Sequence, residues 1–202
     1  VAACVPAASA VETLHVGSLV HDDIIDNDLK RRGRPSVYGA YGRNIARIAG
    51  DSLMFRSFDW AEECLAMGVP NERVLRSITT LAQTGHDLCN GQILEDEIAK
   101  KQIRDFSAYL SMVTGKTASL FHASTRIGAI LGGADSLTEE RWTMIGIKFG
   151  VVFQMEDDLL PYRDDGTRTG KDPLSDIRNG RITLPWITAY INGSNFERNL
   201  LA

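Results

Sequence analysis

Helical periodicity along most of the chain limits the possible folds more than any other feature. Apolar residues recur at helical spacing and predict helices at about residues 7–28, 44–67, 72–101, 106–131, 136–160 and 182–191. Glycine and proline mark the breaks, and residues 29–42 and 161–180 are predicted to be loops. The sequence shows no sustained strand alternation, internal repeat or linker between domains. It therefore predicts an all-α bundle of long helices in a single domain over residues 1–202.

Local signals also predict where some helices begin. Asn71 is a candidate N-cap for the third helix, and Ser136 or Thr138 can cap the fifth, with Glu139 reaching back to the helix start. Pro185 is expected to interrupt the last helix early. The sequence opens within a helical pattern, at VAACVPAASAVETLH, so we expect it to be incomplete at both ends.

Composition narrows the class of protein. The net charge is −4, which argues against a nucleic-acid partner, since such proteins normally carry an extended excess of lysine and arginine. The three cysteines are widely spaced and include no CxxC motif, so they indicate neither a disulfide framework nor a zinc site. A reducing cytoplasm is the simpler prediction. No apolar run approaches the length of about 18 residues that a transmembrane helix needs.

An aspartate cluster ends the first predicted helix. Asp22 and Asp26 are four residues apart and therefore project from one helix face, with Asp23 beside them. The flanking residues are apolar, and carboxylates crowded in an apolar setting need a cation to offset their repulsion. Mg²⁺ suits this role because it prefers oxygen ligands and shares them with phosphate. A solvated acidic helix end would show the same residues.

Basic residues follow this cluster directly. Lys30, Arg31, Arg32 and Arg34 lie in the predicted loop, where they could form surface ion pairs. They could equally form part of a diphosphate site, since arginine binds phosphate with two parallel hydrogen bonds.

A second acidic patch repeats this arrangement. Asp157 and Asp158 follow Phe153 and Gln154 on an apolar helix, and cationic residues come next in the sequence. Two carboxylate pairs on two core helices, facing each other across a bundle, would hold several Mg²⁺ ions and one diphosphate.

Five motifs carry a resemblance to a known family. HDDIIDNDLKRRGRP, GQILEDE, GKTASLF, FQMEDDLL and GK-x4-D-x3-GR-x-TLP closely resemble the trans-isoprenyl diphosphate synthases, over about residues 7–187. The resemblance implies an isoprenoid synthase-type bundle around a central cavity, and a homodimer. It also implies a prenyltransferase that condenses isopentenyl diphosphate with an allylic diphosphate by ionisation, condensation and elimination. Up to three Mg²⁺ ions are expected in each site.

The resemblance assigns roles to individual residues. Asp22, Asp26 and Asp157 would ligate Mg²⁺, with Asp23 and Asp158 supporting them. Thr117 and Gln154 would face the allylic cation. The allylic diphosphate would be held by Arg31, Lys116 and Lys171, and the isopentenyl diphosphate by Arg32. Gln92 would line the cavity, and Arg181 stands where a lysine is usual, so its charge is kept but its geometry is not.

Product length is expected to depend on the depth of the cavity below the first cluster. Gly17 and Ser18 lie five and four residues before Asp22, and neither supplies a bulky floor. By resemblance this favours a product of C20 or longer.

Two departures from the family pattern leave other functions open. The family's second cluster has a third acid where this chain has Pro161, and the change is expected to weaken metal binding. The family also has a Gly-Gly-Lys-x-x-Arg-Pro segment that the given sequence does not contain and that we expect before Val1. A non-catalytic or regulatory subunit of a heteromeric synthase is one alternative. A class I terpene cyclase is another, although Pro161 and Asp165 fit its second motif poorly.

Overall fold

The computed structural model describes residues 2–163 and 180–201, and nearly all of them are helical. A short 3-10 turn at Ala2–Cys4 precedes the first long helix. The helices are α1 (Val5–Ile25), α2 (Val37–Glu62), α3 (Asn71–Lys101), α4 (Phe106–Val113), a π-helix (Thr114–Ala118), α5 (Ser119–Gly132), α6 (Ser136–Arg163), α7 (Leu184–Asn192) and α8 (Asn195–Leu200). The predicted all-α class is confirmed.

The connection between α1 and α2 is shorter than predicted and contains two strands. β1 (Lys30–Arg31) pairs antiparallel with β2 (Arg34–Pro35). Arg32 and Gly33 form the two-residue turn, with φ of 51° and 74°, as a type I′ turn requires. α2 then begins at Val37, seven residues before the predicted start.

Two glycines explain why the start of α2 was predicted too late. A Cβ at Gly39 would lie 2.1 Å from the carbonyl oxygen of Leu29, so this glycine permits a close backbone contact inside the helix. Gly42 has φ 81° and kinks α2 without ending it. Glycine usually indicates a turn, so both residues favoured a loop in the sequence. In the structure both lie within α2, where Gly39 allows a close contact and Gly42 allows a kink.

Helix starts are displaced by one residue at two other places. The Val74 N–H donates to the Pro70 carbonyl at 3.2 Å, so Asn71 is the first residue of α3, not its N-cap. Asp135 caps α6, because its carboxylate accepts the Thr138 N–H at 2.7 Å. Ser136 and Thr138 therefore lie inside α6 and are not its cap.

Two prolines disturb their helices less than predicted. α6 continues through Pro161 to Arg163, three residues beyond its predicted end. Proline cannot donate the usual hydrogen bond to the Asp157 carbonyl, but near a helix end this costs a single bond. Pro185 lies in the first turn of α7, where the missing N–H has no helical partner to lose.

Contacts divide the chain into two compact units. The first unit comprises Val1–His86 and Leu120–Gly146, and the second comprises Asp87–Ser119 and Ile147–Ala202. The boundaries fall within α3 and α6 and near the start of α5. The single-domain assignment stays a prediction.

In the first unit, small residues let α1 pack tightly against α2. Val20, Ile24 and Ala46 form a buried cluster between the two helices. A Cβ at Gly17 would approach the Gly50 carbonyl oxygen to 3.1 Å, and a Cβ at Gly50 would lie 2.3 Å from Nε2 of His21. The contact fixes the carboxyl-terminal half of α1, where the first aspartate cluster lies.

In the second unit, one apolar cluster joins α3, α4 and α7. Its buried members come from these helices and from the segment before α7: Ile98, Tyr109, Met112, Val113, Ile182 and Ile187. Val151 and Met155 of α6 pack against it. Tyr109 is 1% exposed, so its hydroxyl needs a partner inside the protein.

Candidate active site

The first aspartate cluster lies at the carboxyl-terminal end of α1, with Asp26 as the C-cap, and its three carboxylates are not equivalent. Asp22 and Asp26 are partly exposed, whereas Asp23 is buried. Nε of Arg31 donates to Oδ1 of Asp23 at 2.8 Å. Burial raises the pKa of Asp23 even though Arg31 opposes the shift. Asp23 therefore anchors the basic hairpin, and Asp22 and Asp26 form the carboxylate pair on the more accessible face.

The hairpin gives its two central arginines different surroundings. Arg31 lies on β1 and is held against α1 by Asp23. Arg32 is exposed at the tip of the turn in a left-handed conformation. Such a backbone angle is uncommon in a non-glycine residue, and the type I′ turn accounts for it here.

The two proposed chain-length positions lie one turn earlier in α1. Gly17 is buried at the contact with α2, where a Cβ would lie 3.1 Å from the Gly50 carbonyl oxygen, so this contact favours a glycine there. The Ser18 hydroxyl donates to the carbonyl oxygen of His15 at 2.8 Å. Their effect on product length stays a prediction.

In the second unit, a π-helical turn carries Lys116 and Thr117. Gly91 on α3 makes the close approach to this turn possible, because a Cβ there would lie 2.2 Å from the backbone nitrogen of Lys116. Gly115 meets Gly91 from the other side, with its hypothetical Cβ 3.1 Å from the Gly91 Cα. Single π-turns within helices are frequent at functional sites.

Lys116 is held by a carboxylate on α3. Its Nζ lies 2.6 Å from Oε2 of Glu95, and only 20% of the lysine side chain is exposed. Nε2 of Gln92 donates to the same Glu95 oxygen at 3.0 Å. Oε1 of Gln92 is buried and has no hydrogen-bond partner among the described residues, so one acceptor is left for a ligand or water.

A chain of hydrogen bonds connects Thr117 to the second acidic patch. The Thr117 hydroxyl donates to Oε1 of Gln154 at 2.7 Å, and Nε2 of Gln154 donates to Oδ1 of Asp158 at 2.8 Å. Oδ2 of Asp158 accepts from the Tyr109 hydroxyl at 2.7 Å and from the Leu184 N–H at 3.1 Å. Burial, followed by the charge of Asp158, strongly raises the pKa of Tyr109, which keeps it a protonated donor.

The structure describes some of the remaining predicted site residues and not others. Asp157 is partly exposed next to the buried Asp158, and Arg181 is half-buried before α7. Lys171 and Asp165 lie outside the described residues. Asp22 and Asp157 belong to different units, so their shared metal site stays a prediction.

Two participants in these networks were missed from the sequence. Tyr109 lies seven residues before Lys116 and Glu95 lies within GQILEDE, yet neither was assigned a role. A buried tyrosine requires a hydrogen-bond partner, but the sequence could not show that Asp158, 49 residues away, supplies it.

The donor groups also bear on which metals the protein could hold. In residues 2–163 and 180–201, no three His, Cys, Asp or Glu side chains are grouped closely enough to bind a metal on their own. The Asp22 and Asp26 carboxylates instead fit a hard cation such as Mg²⁺, which commonly takes one or two carboxylates and fills its other positions with water or phosphate oxygens.

Carboxylate pairs and cationic side chains on helices define a helical protein suited to anionic, metal-associated ligands. Residues 1–202 match the family model described as polyprenyl synthetase. The chain belongs to the polyprenyl synthetase family, which confirms the resemblance found in the motifs.

Relatives and solved structures agree with this assignment. The chain is 38% identical to the geranylgeranyl diphosphate synthase of Methanosarcina mazei, over 95% of this chain and 58% of that protein. It is 36% identical to the geranylfarnesyl diphosphate synthase of Aeropyrum pernix, over 91% of this chain and 58% of that protein. The fold matches the geranylgeranyl pyrophosphate synthetase of Pyrococcus horikoshii with a TM-score of 0.89 at 33% identity, covering 98% and 60% of the two chains.

The chain therefore spans a little under three fifths of the length of these curated relatives. None of the helices in the described ranges is both long and apolar enough to cross a bilayer.

Proposed function

We propose that this protein is a magnesium-dependent trans-prenyltransferase that lengthens an allylic diphosphate with isopentenyl diphosphate to a product of C20 or longer. The observation that carries the proposal is the Thr117–Gln154–Asp158 chain beside Asp157, which places oxygen acceptors next to a carboxylate suited to a metal. Family membership and the geranylgeranyl and geranylfarnesyl names of the relatives support the substrate class and length.

Carboxylates would hold the metal, and basic side chains would hold the diphosphates. Asp22, Asp26 and Asp157 are the proposed ligands of up to three Mg²⁺ ions. Bound Mg²⁺ would neutralise the charge that builds up on the departing diphosphate. Lys116, Arg31 and Lys171 would hold that diphosphate, Arg32 and Arg181 are further candidates for substrate binding, and Gln92 is a candidate lining residue.

Thr117 and Gln154 would face the allylic carbon that becomes cationic. When the allylic carbon–oxygen bond breaks, the electron pair leaves with the diphosphate and the carbon becomes cationic. Oxygen dipoles aimed at that carbon stabilise the charge without having to reorganise. The isopentenyl double bond then forms the new carbon–carbon bond, and a proton leaves to the departing diphosphate.

The assembly is proposed to be a homodimer that forms through α2. Ile45, Ile48 and Phe55 lie three and seven residues apart on one face of the helix, and they are 53%, 65% and 72% exposed. An apolar stripe at heptad spacing is a surface that a second helix can cover. A cytoplasmic location is also proposed, because Cys4, Cys64 and Cys89 are all unpaired thiols.

Chain elongation by the purified full-length protein tests the proposed function. The protein is incubated with labelled isopentenyl diphosphate, Mg²⁺ and C5, C10 or C15 allylic diphosphate in separate reactions, and the products are separated by length. We expect products of C20 or longer, and none when EDTA removes the metal. Failure to elongate any primer would contradict the proposal and favour a non-catalytic subunit, the alternative that Pro161 raises.

A further inference from the structure

We propose that Asp158 is a positioning residue that sets the direction of the hydrogen-bond chain, so that Thr117 presents oxygen lone pairs, and not its proton, to the reacting allylic carbon. This inference rests on the proposed function and adds to it a role for Asp158 and its anchors, Tyr109 and the Leu184 N–H. None of these three groups needs to touch the substrate.

The direction of the chain follows from what each group can donate. An ionised carboxylate only accepts hydrogen bonds, so Gln154 must turn its NH2 group toward Oδ1 of Asp158, 2.8 Å away. The amide oxygen of Gln154 then faces Thr117 and accepts the single hydroxyl proton at 2.7 Å. The Thr117 oxygen therefore keeps its lone pairs for its remaining contacts.

Two donors from separate elements anchor the carboxylate. Asp158 is only 7% exposed, and Oδ2 accepts from the hydroxyl of Tyr109 on α4 at 2.7 Å. It also accepts from the N–H of Leu184, the first residue of α7, at 3.1 Å. An N–H in the first turn of a helix has no helical acceptor, so the carboxylate also satisfies that group.

This direction suits a developing cation. A carbon that becomes positive is attracted by the lone pairs of a hydroxyl oxygen and repelled by a hydroxyl hydrogen. A reversed chain would place the wrong end of the Thr117 dipole at the reacting carbon, where fixed dipoles have large effects on rate.

Asp158→Asn is expected to reverse the chain with almost no change of shape. The backbone N–H of Leu184 can only donate, so the amide oxygen of the substituted side chain must occupy the former Oδ2 position. The NH2 group of that side chain then faces Gln154, which must turn its own oxygen toward it and its NH2 toward Thr117. The Thr117 proton is thereby released from Gln154 and becomes available to point at the ligand.

Two unreactive ligands test the direction of the hydrogen-bond chain without turnover. One is an allylic diphosphate analogue with a tertiary ammonium in place of the reacting carbon, and the other is an uncharged analogue of the same shape. Affinities are measured by calorimetry with Mg²⁺ for the full-length protein, Asp158→Asn and the control Asp105→Asn. Asp105 caps α4 through the Ala108 N–H, and asparagine caps equally well.

The parent and Asp105→Asn are expected to prefer the ammonium analogue by about tenfold, and Asp158→Asn is expected to lose that preference. An unchanged preference in Asp158→Asn would overturn the inference and leave the proposed function standing. Binding of neither analogue to the parent would overturn both.

Turnover gives a second readout that a purely structural role would not produce. Thr117→Val removes the hydroxyl and keeps the side-chain shape. It should lower kcat in the parent but raise kcat in the Asp158→Asn background, because there it removes a misdirected proton. A fall in kcat in both backgrounds would contradict the proposed direction of the chain.

Discussion

Gly85 and Gly91 lie on the same helix, but an added methyl group would meet different surroundings at the two positions. At Gly85 no atom beyond the adjacent backbone of α3 lies within 4 Å of the hypothetical Cβ, whereas at Gly91 the backbone of the π-turn lies 2.2 Å away. Comparing the two positions distinguishes the general destabilising effect of glycine in a helix from the specific contact that positions Lys116.

Gly91→Ala should destabilise the protein by about 1–3 kcal/mol, because α3 and the π-turn must separate. Gly85→Ala should stabilise it by about 0.5–1 kcal/mol, as alanine does in an open helical position. Urea unfolding of both variants measures the free energies. Equal effects of the two substitutions would show that Gly91 makes no special contact.

Single residues also show how far the sequence could be interpreted. The motifs pointed to Lys116, Thr117 and Gln154, and the structure joins Thr117 directly to Gln154. Tyr109 and Glu95 were missed because their roles depend on partners 49 and 21 residues away. Such pairings arise from helix packing, which periodicity alone does not encode.

Among the elements, the start of α6 depends on a buried ion cluster. Glu139 is 6% exposed and pairs with Arg76 on α3 and Arg126 on α5. Burial opposes ionisation, but hydrogen bonds from Arg126 and Arg76 more than offset it and lower the pKa of Glu139. The predicted capping role of Glu139 is therefore replaced by one that ties three helices together.

Glu139→Gln should destabilise the protein by about 1–3 kcal/mol at pH 7, a loss limited by the partial exposure of both arginines. Because the folded-state pKa is lowered, the carboxylate stabilises the protein above its unfolded pKa of about 4.3, and this contribution is lost as the pH falls further. Urea unfolding at pH 7 and at about pH 3.5 measures both values.

The difference in unfolding free energy between parent and Glu139→Gln should therefore shrink at the lower pH. Glu140→Gln changes an exposed neighbour and serves as the control, with little effect at either pH. A difference that stays constant with pH would show that the charge of Glu139 does not stabilise the fold.

Helices were predicted well wherever local signals decide them. The predicted helix at 72–101 matches α3 to within one residue, because its apolar spacing and the turn before it are local features. The ends of the helix predicted at 106–131 are right to within one residue, but the π-turn inside it is not evident from the sequence. That turn depends on the Gly91–Gly115 contact, which lies between two elements.

At the scale of the whole molecule, the exposed stripe on α2 predicts the oligomeric state. Phe55→Asp places a charge within the proposed interface and should convert the proposed dimer to a monomer, as measured by sedimentation velocity. Phe196→Asp is the matched control, since Phe196 is 73% exposed on α8 and Phe55 is 72% exposed. A dimer that survives Phe55→Asp would place the interface elsewhere.

The proposed function depends on carboxylates that would hold a metal ion against a diphosphate. The first aspartate cluster is suited to the task because Asp23 is occupied by Arg31, while Asp22 and Asp26 remain partly exposed on one face of α1. Neither the hairpin nor the packing of Gly17 against α2 was evident in the sequence, although the cluster itself was.

The most direct test is the turnover of Asp22→Ala with Mg²⁺, isopentenyl diphosphate and the preferred allylic primer, beside Asp59→Ala as an exposed aspartate control. Circular dichroism of both variants verifies that they are folded. We expect Asp22→Ala to lose nearly all turnover, about a thousandfold or more, and Asp59→Ala to keep it. Unchanged turnover in a folded Asp22→Ala protein would contradict the metal assignment.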